Sequence, residues 1–395
     1  MIGHRGKRLC ALLLALGLVP LGTAAVRTAP MEETVPVEIT APSAMLVEAE
    51  TGTVIFEKNA DEQRPVASVT KLMTLLLTFE ALEEGTVSLE DQVTVSRAAA
   101  GQIGSQALLD AGAVYSLKEL LKSTIIASAN DSAYALAEYL AGTETDFVAR
   151  MNERAQELGM TDTVYVNCTG LPVEGQHTTA RDVALLSCQM CTHPEYFTYG
   201  AVWMDTLTHP SGRVTDLTNT NRLVRFYDGC DGLKTGSADD SKYCLSCTAE
   251  KNGMELIAVV LKGKTSDERF SDAKSLLNYG FSTWSLVTVT PDEVLPPVPV
   301  TLGVRGTVQP VLTSENTLLV EKTLANGLTK EVALAESVAA PVYAGDTLGQ
   351  LTVRDAAGNT VAELPILAGE DVGHVTFVQM LGRCLARGFC MGPQS

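Results

Sequence analysis

Positive charge is scarce in this sequence. Its 395 residues include 29 lysines and arginines against 47 aspartates and glutamates, which gives a formal net charge of −18. Because a phosphate backbone is bound by a basic surface, this composition argues against nucleic acid as a partner. An anionic membrane surface would also repel so acidic a protein unless a local segment held it there.

A dense cysteine framework is lacking as well. The nine cysteines are spread over the whole chain. Two pairs have the short internal spacing of zinc ligands, Cys188/Cys191 and Cys244/Cys247. The pairs lie too far apart in sequence for a typical zinc site, and residues three apart on the strand predicted for the second pair face opposite sides. We therefore interpret these cysteines as small buried apolar residues, and we expect no metal and no cofactor.

A targeting segment opens the sequence. Arg5, Lys7 and Arg8 precede the apolar run 9–19, and small residues follow at positions 22–25. This order is typical of a secretory signal peptide, which we expect to span residues 1–25. An uncleaved membrane anchor is the alternative. In either case the rest of the chain is expected to act outside the cytoplasm.

The hydrophobic pattern predicts a first domain of α+β class over residues 43–287, after a linker at 26–42. Strand patterns at 44–48 and 53–57 flank a turn, and a second hairpin is predicted around Asn252-Gly253. Helical patterns lie between and after these hairpins, at 68–83, 117–126, 132–140, 145–158, 180–191 and 266–279. Strands at both ends with helices between them indicate one antiparallel sheet with an inserted helical subdomain.

The remaining sequence indicates two further parts. Residues 288–372 alternate apolar and polar residues between glycine turns, which predicts a small all-β domain. Residues 373–395 have apolar residues at helical spacing, with two arginines off that stripe: Phe377, Met380, Leu381, Cys384 and Leu385, and Arg383 and Arg387. This pattern predicts an amphipathic helix that contacts the membrane surface. A helix docked on its own protein is the alternative.

Three short motifs follow one another in the first domain: Ser68-Val69-Thr70-Lys71, Ser128-Ala129-Asn130 and Lys234-Thr235-Gly236. Each is common by chance, but together they match the serine acyl-transferase set. Ser68 begins an apolar helix, and Lys71 lies on the same helix face, within reach of its hydroxyl. Apolar surroundings and a second cation should lower the pKa of Lys71, so we expect Ser68 as nucleophile and Lys71 as base.

The second and third motifs predict the rest of a cleft. Ser128 and Asn130 lie in a turn-forming run, from which Ser128 can relay a proton to the leaving amine and Asn130 can hold the substrate amide or Lys71. On the third motif Lys234 and Thr235 are expected to bind a terminal carboxylate. Gly236 should let a substrate backbone approach the strand, and Ser237 follows it as a further substrate-binding residue.

With these motifs the sequence resembles the D-alanyl-D-alanine carboxypeptidase family of low-molecular-mass penicillin-binding proteins over residues 44–286. Further stretches carry the resemblance: Gly104-Ser105-Gln106, residues 167–172, residues 177–182, Arg269-Phe270 and residues 272–274. The resemblance implies a transpeptidase-like domain, a β-rich second domain and often an amphipathic C-terminal anchor. It also implies release of the terminal D-alanine from peptidoglycan stem peptides, and binding of β-lactams.

One residue departs from the family pattern, and rival functions stay open. Such enzymes usually carry Thr or Ser two residues after the glycine of the third motif, where this chain has Ala238. A serine β-lactamase is a rival, but no Glu between Asn130 and Lys234 is followed four residues later by Asn, the pattern we expect of a class A deacylating loop. A muropeptide endopeptidase and an idle cell-wall binding protein are further rivals.

Overall fold

The structure is a computed structural model that describes residues 37–313 and 316–382. The predicted signal peptide and the end of the predicted C-terminal helix lie outside these residues. The strands are β1 (Ser43–Glu48), β2 (Val54–Lys58), β3 (Gln92–Thr94), β4 (Val114–Ser116), β5 (Met204–Thr208), β6 (Val214–Thr218), β7 (Cys230–Ala238), β8 (Lys242–Lys251), β9 (Met254–Gly263), β10 (Trp284–Thr288), β11 (Val298–Thr301), β12 (Thr307–Val308), β13 (Pro310–Leu312), β14 (Thr317–Glu321), β15 (Thr329–Leu334), β16 (Val338–Ala339), β17 (Thr347–Arg354) and β18 (Thr360–Ala368).

The ten helices of the described residues include the six predicted ones, together with four short helices that were not predicted. Their bounds are α1 (Lys71–Glu83), α2 (Arg97–Ala100), α3 (Leu117–Ile126), α4 (Asn130–Ala141), α5 (Glu144–Glu157), α6 (Ala180–Cys191), α7 (Glu195–Gly200), α8 (Leu223–Phe226), α9 (Ser266–Thr283) and α10 (Lys322–Ala325). The first predicted helix differs from the prediction in its first turn. Ala67 has a positive φ of 48°, a 3-10 turn covers Ala67–Thr70, and the α-helix begins only at Lys71.

The central sheet is antiparallel and is built from both ends of the first domain. Its strands lie in the order β2, β1, β9, β8, β7, so the first hairpin pairs with the last one. Asn252 and Gly253 join β8 to β9 in the predicted tight turn. The sheet and the helices between its two hairpins form the predicted arrangement, and β7 lies at one edge.

Both faces of this sheet are covered. Met45 and Val47 of β1 pack with α1 and α6, whereas Ala44 and Leu46 pack with α9 on the opposite face. Because successive strand residues point to opposite faces, a strand buried on both sides is apolar throughout. The same alternation places Cys244 in the first cluster and Cys247 in the second.

Helix α1 lies in the centre of the domain. Its apolar residues surround the helix and are almost completely buried, among them Leu72, Met73, Leu75, Leu76 and Phe79. A helix that is apolar on all sides is stable only inside a protein. The first turn of α1, which carries Lys71, is therefore held in an environment from which water is excluded.

The β-rich region follows α9. It contains a sheet in the order β13, β18, β17, β15, another in the order β12, β11, β16, and the pair β10 and β14. Strand β10 crosses the domain boundary expected between residues 287 and 288 and pairs with β14 along its whole length. The sequence-based domain limits stay a prediction, but the ladder joins residues 284–287 to this region.

Candidate active site

Ser68 and Lys71 lie together at the start of α1. Lys71 Nζ is 2.9 Å from Ser68 Oγ and donates a hydrogen bond to the carbonyl oxygen of Thr169 at 2.6 Å. Ser68 is half-buried, whereas Lys71 is fully buried with a relative exposure of 0%. The three-residue spacing therefore brings the hydroxyl and the amine together, as the sequence predicts.

Burial lowers the pKa of Lys71 to about 7. Loss of solvation of the ammonium group is the largest cause, and the nearby Cys168 and Asp131 act in the opposite direction. A pKa near neutrality means that a large share of Lys71 is an uncharged amine at pH 7. The buried amine can therefore accept a proton from the adjacent hydroxyl.

The second motif lies where α4 packs against α1. Asn130 is the first residue of α4, so it stands on a helix and not in the predicted loop, while Ser128 precedes it with a positive φ of 59°. Both side chains are buried, and within the described residues Ser128 Oγ and Asn130 Oδ1 have no hydrogen-bond partner. Asn130 Nδ2 donates to the carbonyl oxygen of Ile103 at 2.5 Å. A hydroxyl and an amide oxygen thus have unused hydrogen-bonding capacity within the described residues.

The third motif lies on the edge strand β7. Lys234 is fully buried, and its Nζ has no hydrogen-bond partner in the described part of the chain. Burial, together with the charges of Lys71 and Arg269, holds the pKa of Lys234 well below its usual value. Thr235 Oγ1 donates to Thr220 Oγ1 at 2.7 Å. Because a buried ammonium group without a counter-ion is costly, an anionic ligand would stabilise the charged form of Lys234.

Gly236 of β7 packs closely against the backbone of the turn that carries Ser68. A Cβ on Gly236 would collide with the carbonyl oxygen of Val66 and would lie 3.1 Å from the backbone nitrogen of Ser68. The protein's own backbone therefore makes a close approach that requires glycine here, and the expected approach of a substrate backbone stays a prediction. Arg269 holds Gly236 from another side by donating to its carbonyl oxygen at 3.1 Å.

Comparison with known proteins agrees with this geometry. Residues 28–265 match the family described as D-alanyl-D-alanine carboxypeptidase, and residues 287–374 match the C-terminal domain of penicillin-binding protein 5. The chain belongs to the D-alanyl-D-alanine carboxypeptidase family. It is a serine-type hydrolase that removes the terminal D-alanine from peptidoglycan stem peptides, in a family that binds such peptides and β-lactams.

Two relatives and one solved structure illustrate the similarity. The carboxypeptidase is 35% identical over 347 residues to the D-alanyl-D-alanine carboxypeptidase DacF of Bacillus subtilis (strain 168), over 87% of this chain and 89% of that one. It is 32% identical over 338 residues to DacC of Escherichia coli (strain K12), over 83% of each chain. The crystal structure of penicillin binding protein 5 from Haemophilus influenzae matches with a TM-score of 0.78 and 26% identity, over 87% of this chain and 100% of that one. These matches confirm the predicted α+β fold with its β-rich second domain.

Several residues around the cleft carry contacts that sequence patterns did not reveal. Thr169 provides the carbonyl that accepts from Lys71, Thr220 accepts from Thr235, and Asp131 lies beside Asn130. Thr169 belongs to a stretch that carries the family resemblance, but no role followed from that. Thr220 and Asp131 belong to no motif that predicts their contacts, because those contacts join segments far apart in the chain.

Proposed function

We propose that Ser68 is the nucleophile of this carboxypeptidase and that Lys71 is its general base. The observation that carries the proposal is the 2.9 Å separation of the two reacting atoms, with the amine buried and its pKa lowered to about 7. Ser68 Oγ attacks the carbonyl carbon of the penultimate D-alanine, and Lys71 accepts the hydroxyl proton. The N–H of Ser68 and an N–H of β7 stabilise the negative charge that develops on the carbonyl oxygen.

The leaving group and the deacylation step complete the reaction. When the C–N bond to the terminal D-alanine breaks, Ser128 relays a proton to the departing amine, and Asn130 holds the substrate amide. Water then attacks the ester of Ser68, which restores the hydroxyl and releases the shortened peptide as a free acid. The unpaired Ser128 Oγ and Asn130 Oδ1, which lack partners within the described residues, support these roles.

The third motif is proposed to bind the peptide end. Strand β7 is at the edge of the sheet, so an extended peptide can pair with it at Ser237 and its neighbours. Lys234 and Thr235 then receive the terminal carboxylate, and Gly236 keeps β7 close to Ser68. Ala238 provides no hydroxyl where one is expected.

Labelled penicillin tests this assignment. Ser68→Ala should lose all covalent label but keep its fold, since the side chain of Ser68 contributes little to the core. Wild-type protein should hold the label stably; rapid loss of label would indicate a β-lactamase, and no label an idle binding protein. Retained label in Ser68→Ala would exclude Ser68 as the nucleophile. Mass spectrometry with a diacyl-D-Ala-D-Ala peptide should detect free D-alanine and an acyl adduct.

We also propose that the protein is exported and that its C-terminal segment contacts the membrane surface. Among the described residues no helix combines the length and apolar character needed to cross a bilayer. Of the amphipathic helix predicted over 373–395, residues 373–376 are not helical, and the described helical residues 377–382 expose Phe377 by 81% and Val378 by 77%. Exposed apolar residues beside the arginines at 383 and 387 suit an interfacial helix. The predicted cleavage at residue 25 supports export.

Truncation before Phe377 tests the membrane contact. The shortened protein should move to the soluble fraction and keep its carboxypeptidase activity on small peptides, because the proposed chemistry lies upstream. A truncated protein that stays on membranes would contradict the role of this segment. A second variant would then lack both this segment and residues 1–25. Its release into the soluble fraction would identify an uncleaved signal peptide as the anchor.

A further inference from the structure

A surface segment runs along the second motif and is attached to it by backbone contacts. The N–H of Asn130 donates to the carbonyl oxygen of Ser105 at 2.7 Å, and its side-chain Nδ2 donates to that of Ile103 at 2.5 Å. We call residues 103–109 the strap. Ile103 is 69% exposed, so the strap lies at the protein surface beside the second motif.

Asp131 holds the other half of the strap. Its Oδ1 accepts from the backbone N–H of Ala107 at 2.9 Å, and its Oδ2 accepts from that of Leu109 at 3.0 Å. Oδ1 also accepts from the N–H of Ser132 in the first turn of α4 at 2.9 Å. The carboxylate is completely buried, with a relative exposure of 0%. Asp131 therefore fastens the strap to α4 and does not face a substrate.

We propose that Asp131 is a positioning residue for acyl transfer, which fixes the Asn130 amide and one wall of the cleft through the strap. The inference rests on the roles proposed above for Asn130 and Lys71. Space around the amide is tight, because a Cβ on Gly104 would lie 2.9 Å from Asn130 Nδ2. If the strap detached from Asp131, the carbonyl oxygen of Ile103 would move with it, and the Asn130 amide would lose its hydrogen-bond acceptor. Misplacing a group that orients a substrate is costly in rate.

The charge of Asp131 gives the inference a specific readout. Lys71 interacts electrostatically with three titratable groups of the described residues: Asp131 on α4, Cys168 in the loop before α6 and Lys234 on β7. The Asp131 carboxylate raises the pKa of Lys71 against the effect of burial. Removing this charge should lower the pKa of Lys71, and the acid limb of the pH–rate profile should move to lower pH.

Asp131→Asn in the full chain tests both effects. Asparagine keeps the acceptor at Oδ1 but turns a donor towards the N–H of Leu109, so the strap is loosened without a change in volume. We expect kcat/KM for D-alanine release from a diacyl-D-Ala-D-Ala peptide to fall about tenfold at about pH 9, where Lys71 is neutral in both proteins. The midpoint of the acid limb should also move down. Counted per folded molecule, a defect of stability alone would change neither kcat/KM nor the midpoint.

Two further variants separate the effects. Asp272→Asn is the matched control, because Asp272 is a buried carboxylate that accepts from the N–H groups of Thr40 at 3.1 Å and Ala41 at 2.8 Å, in a different segment. It should leave kcat/KM and the midpoint unchanged. Gly104→Ala keeps the charge of Asp131 but presses the strap against Asn130, so it should lower kcat/KM with the midpoint unmoved.

The outcomes distinguish this inference from the proposed function. Wild-type kcat/KM and midpoint in Asp131→Asn, with Ser68→Ala inactive, would overturn the role of Asp131 alone. Penicillin labelling of Ser68→Ala would overturn the proposed function itself. If Asp131→Asn does not fold, Gly104→Ala decides: reduced kcat/KM supports the strap as the element that places Asn130, and wild-type kcat/KM overturns the proposal.

Discussion

Lys71 Nζ lies 2.9 Å from Ser68 Oγ, although the lysine is fully buried and the serine is half-buried. The proposed nucleophile can thus meet a substrate, while the proposed base stays in surroundings that disfavour the charged ammonium. The 3-10 turn before α1 produces this difference, because it carries Ser68 at its surface and delivers Lys71 into the core. The hydroxyl and the amine can therefore be tested separately.

The first prediction concerns pH. If the neutral amine of Lys71 is the base, as we propose, the rate of penicillin acylation should rise as pH increases through about 7. Lys71→Ala should acylate very slowly and recover in part at high pH, where hydroxide can replace the lost base. Stopped-time labelling between about pH 5 and pH 10 measures both. Near wild-type acylation of Lys71→Ala at neutral pH would show that Lys71 is not the base.

The second prediction concerns Gly236→Ala. The added methyl group would press on the backbone of Val66 and Ser68, so the turn that carries the nucleophile must move. We expect a loss of about 1–3 kcal/mol in the free energy of unfolding. Penicillin acylation should fall at least about a hundredfold. Gly306→Ala is the control, since a Cβ there has no neighbour within 4 Å. Wild-type acylation of Gly236→Ala would contradict this account of the glycine.

The third prediction concerns stability. Burial, with Asp231 and Glu250 nearby, raises the pKa of Glu255 from 4.5 to about 8, and its Oε1 has no partner among the described residues. A carboxyl group with a raised folded pKa contributes stability below its unfolded pKa, and that contribution is lost as pH rises through the folded pKa. Wild-type protein should therefore lose stability between about pH 5 and pH 8.5.

Glu255→Gln should remove this dependence. Urea unfolding gives the free energy of unfolding at each of the two pH values. The difference between these free energies should be smaller in Glu255→Gln than in wild type by more than about 1 kcal/mol, since one pKa unit corresponds to about 1.4 kcal/mol. The exposed Glu336→Gln is the control and should behave as wild type. An equal loss of stability in wild type and Glu255→Gln would disprove the contribution of Glu255.

Local patterns in the sequence predict the elements well. The apolar residues on all sides of α1, the Asn252-Gly253 turn and the apolar run of β1 are local signals, and each element forms there, although α1 begins three residues later than predicted. The spacing of Ser68 and Lys71 is also local, because three residues make nearly one helical turn. The proximity of the hydroxyl and the amine could therefore be predicted from their spacing alone.

Contacts between distant segments could not be predicted in this way. The partner of Thr235 is Thr220, the carbonyl that binds Lys71 belongs to Thr169, and Gly236 is required by the backbone of Val66. None of these pairs leaves a periodic signal, since each depends on how the sheet and helices pack. The glycine at position 236 was expected from the approach of a substrate, whereas its contact with Val66 joins distant parts of the chain and has no local signal.

The last prediction concerns specificity. Lys234 is a buried amine without a partner in the described chain, beside Lys71 and Arg269 in an otherwise acidic protein. The terminal carboxylate of the substrate can supply the missing negative charge. The enzyme should therefore prefer a D-Ala-D-Ala peptide with a free carboxylate over its C-terminal amide. A hydrogen bond to a charged group contributes about 1.5–3 kcal/mol, which corresponds to roughly a ten- to hundredfold difference in kcat/KM.

Variants of β7 locate this preference. Lys234→Gln should lower kcat/KM for the free acid towards that for the amide and leave the amide nearly unchanged, whereas the exposed Lys264→Gln should change neither. Ala238→Thr restores a hydroxyl near the end of β7 and should strengthen the preference for the acid. Comparable kcat/KM for acid and amide in the wild type would remove the carboxylate-binding role of Lys234 and Thr235. The label on Ser68 would then still report acylation, so the nucleophile and the carboxylate pocket are tested independently.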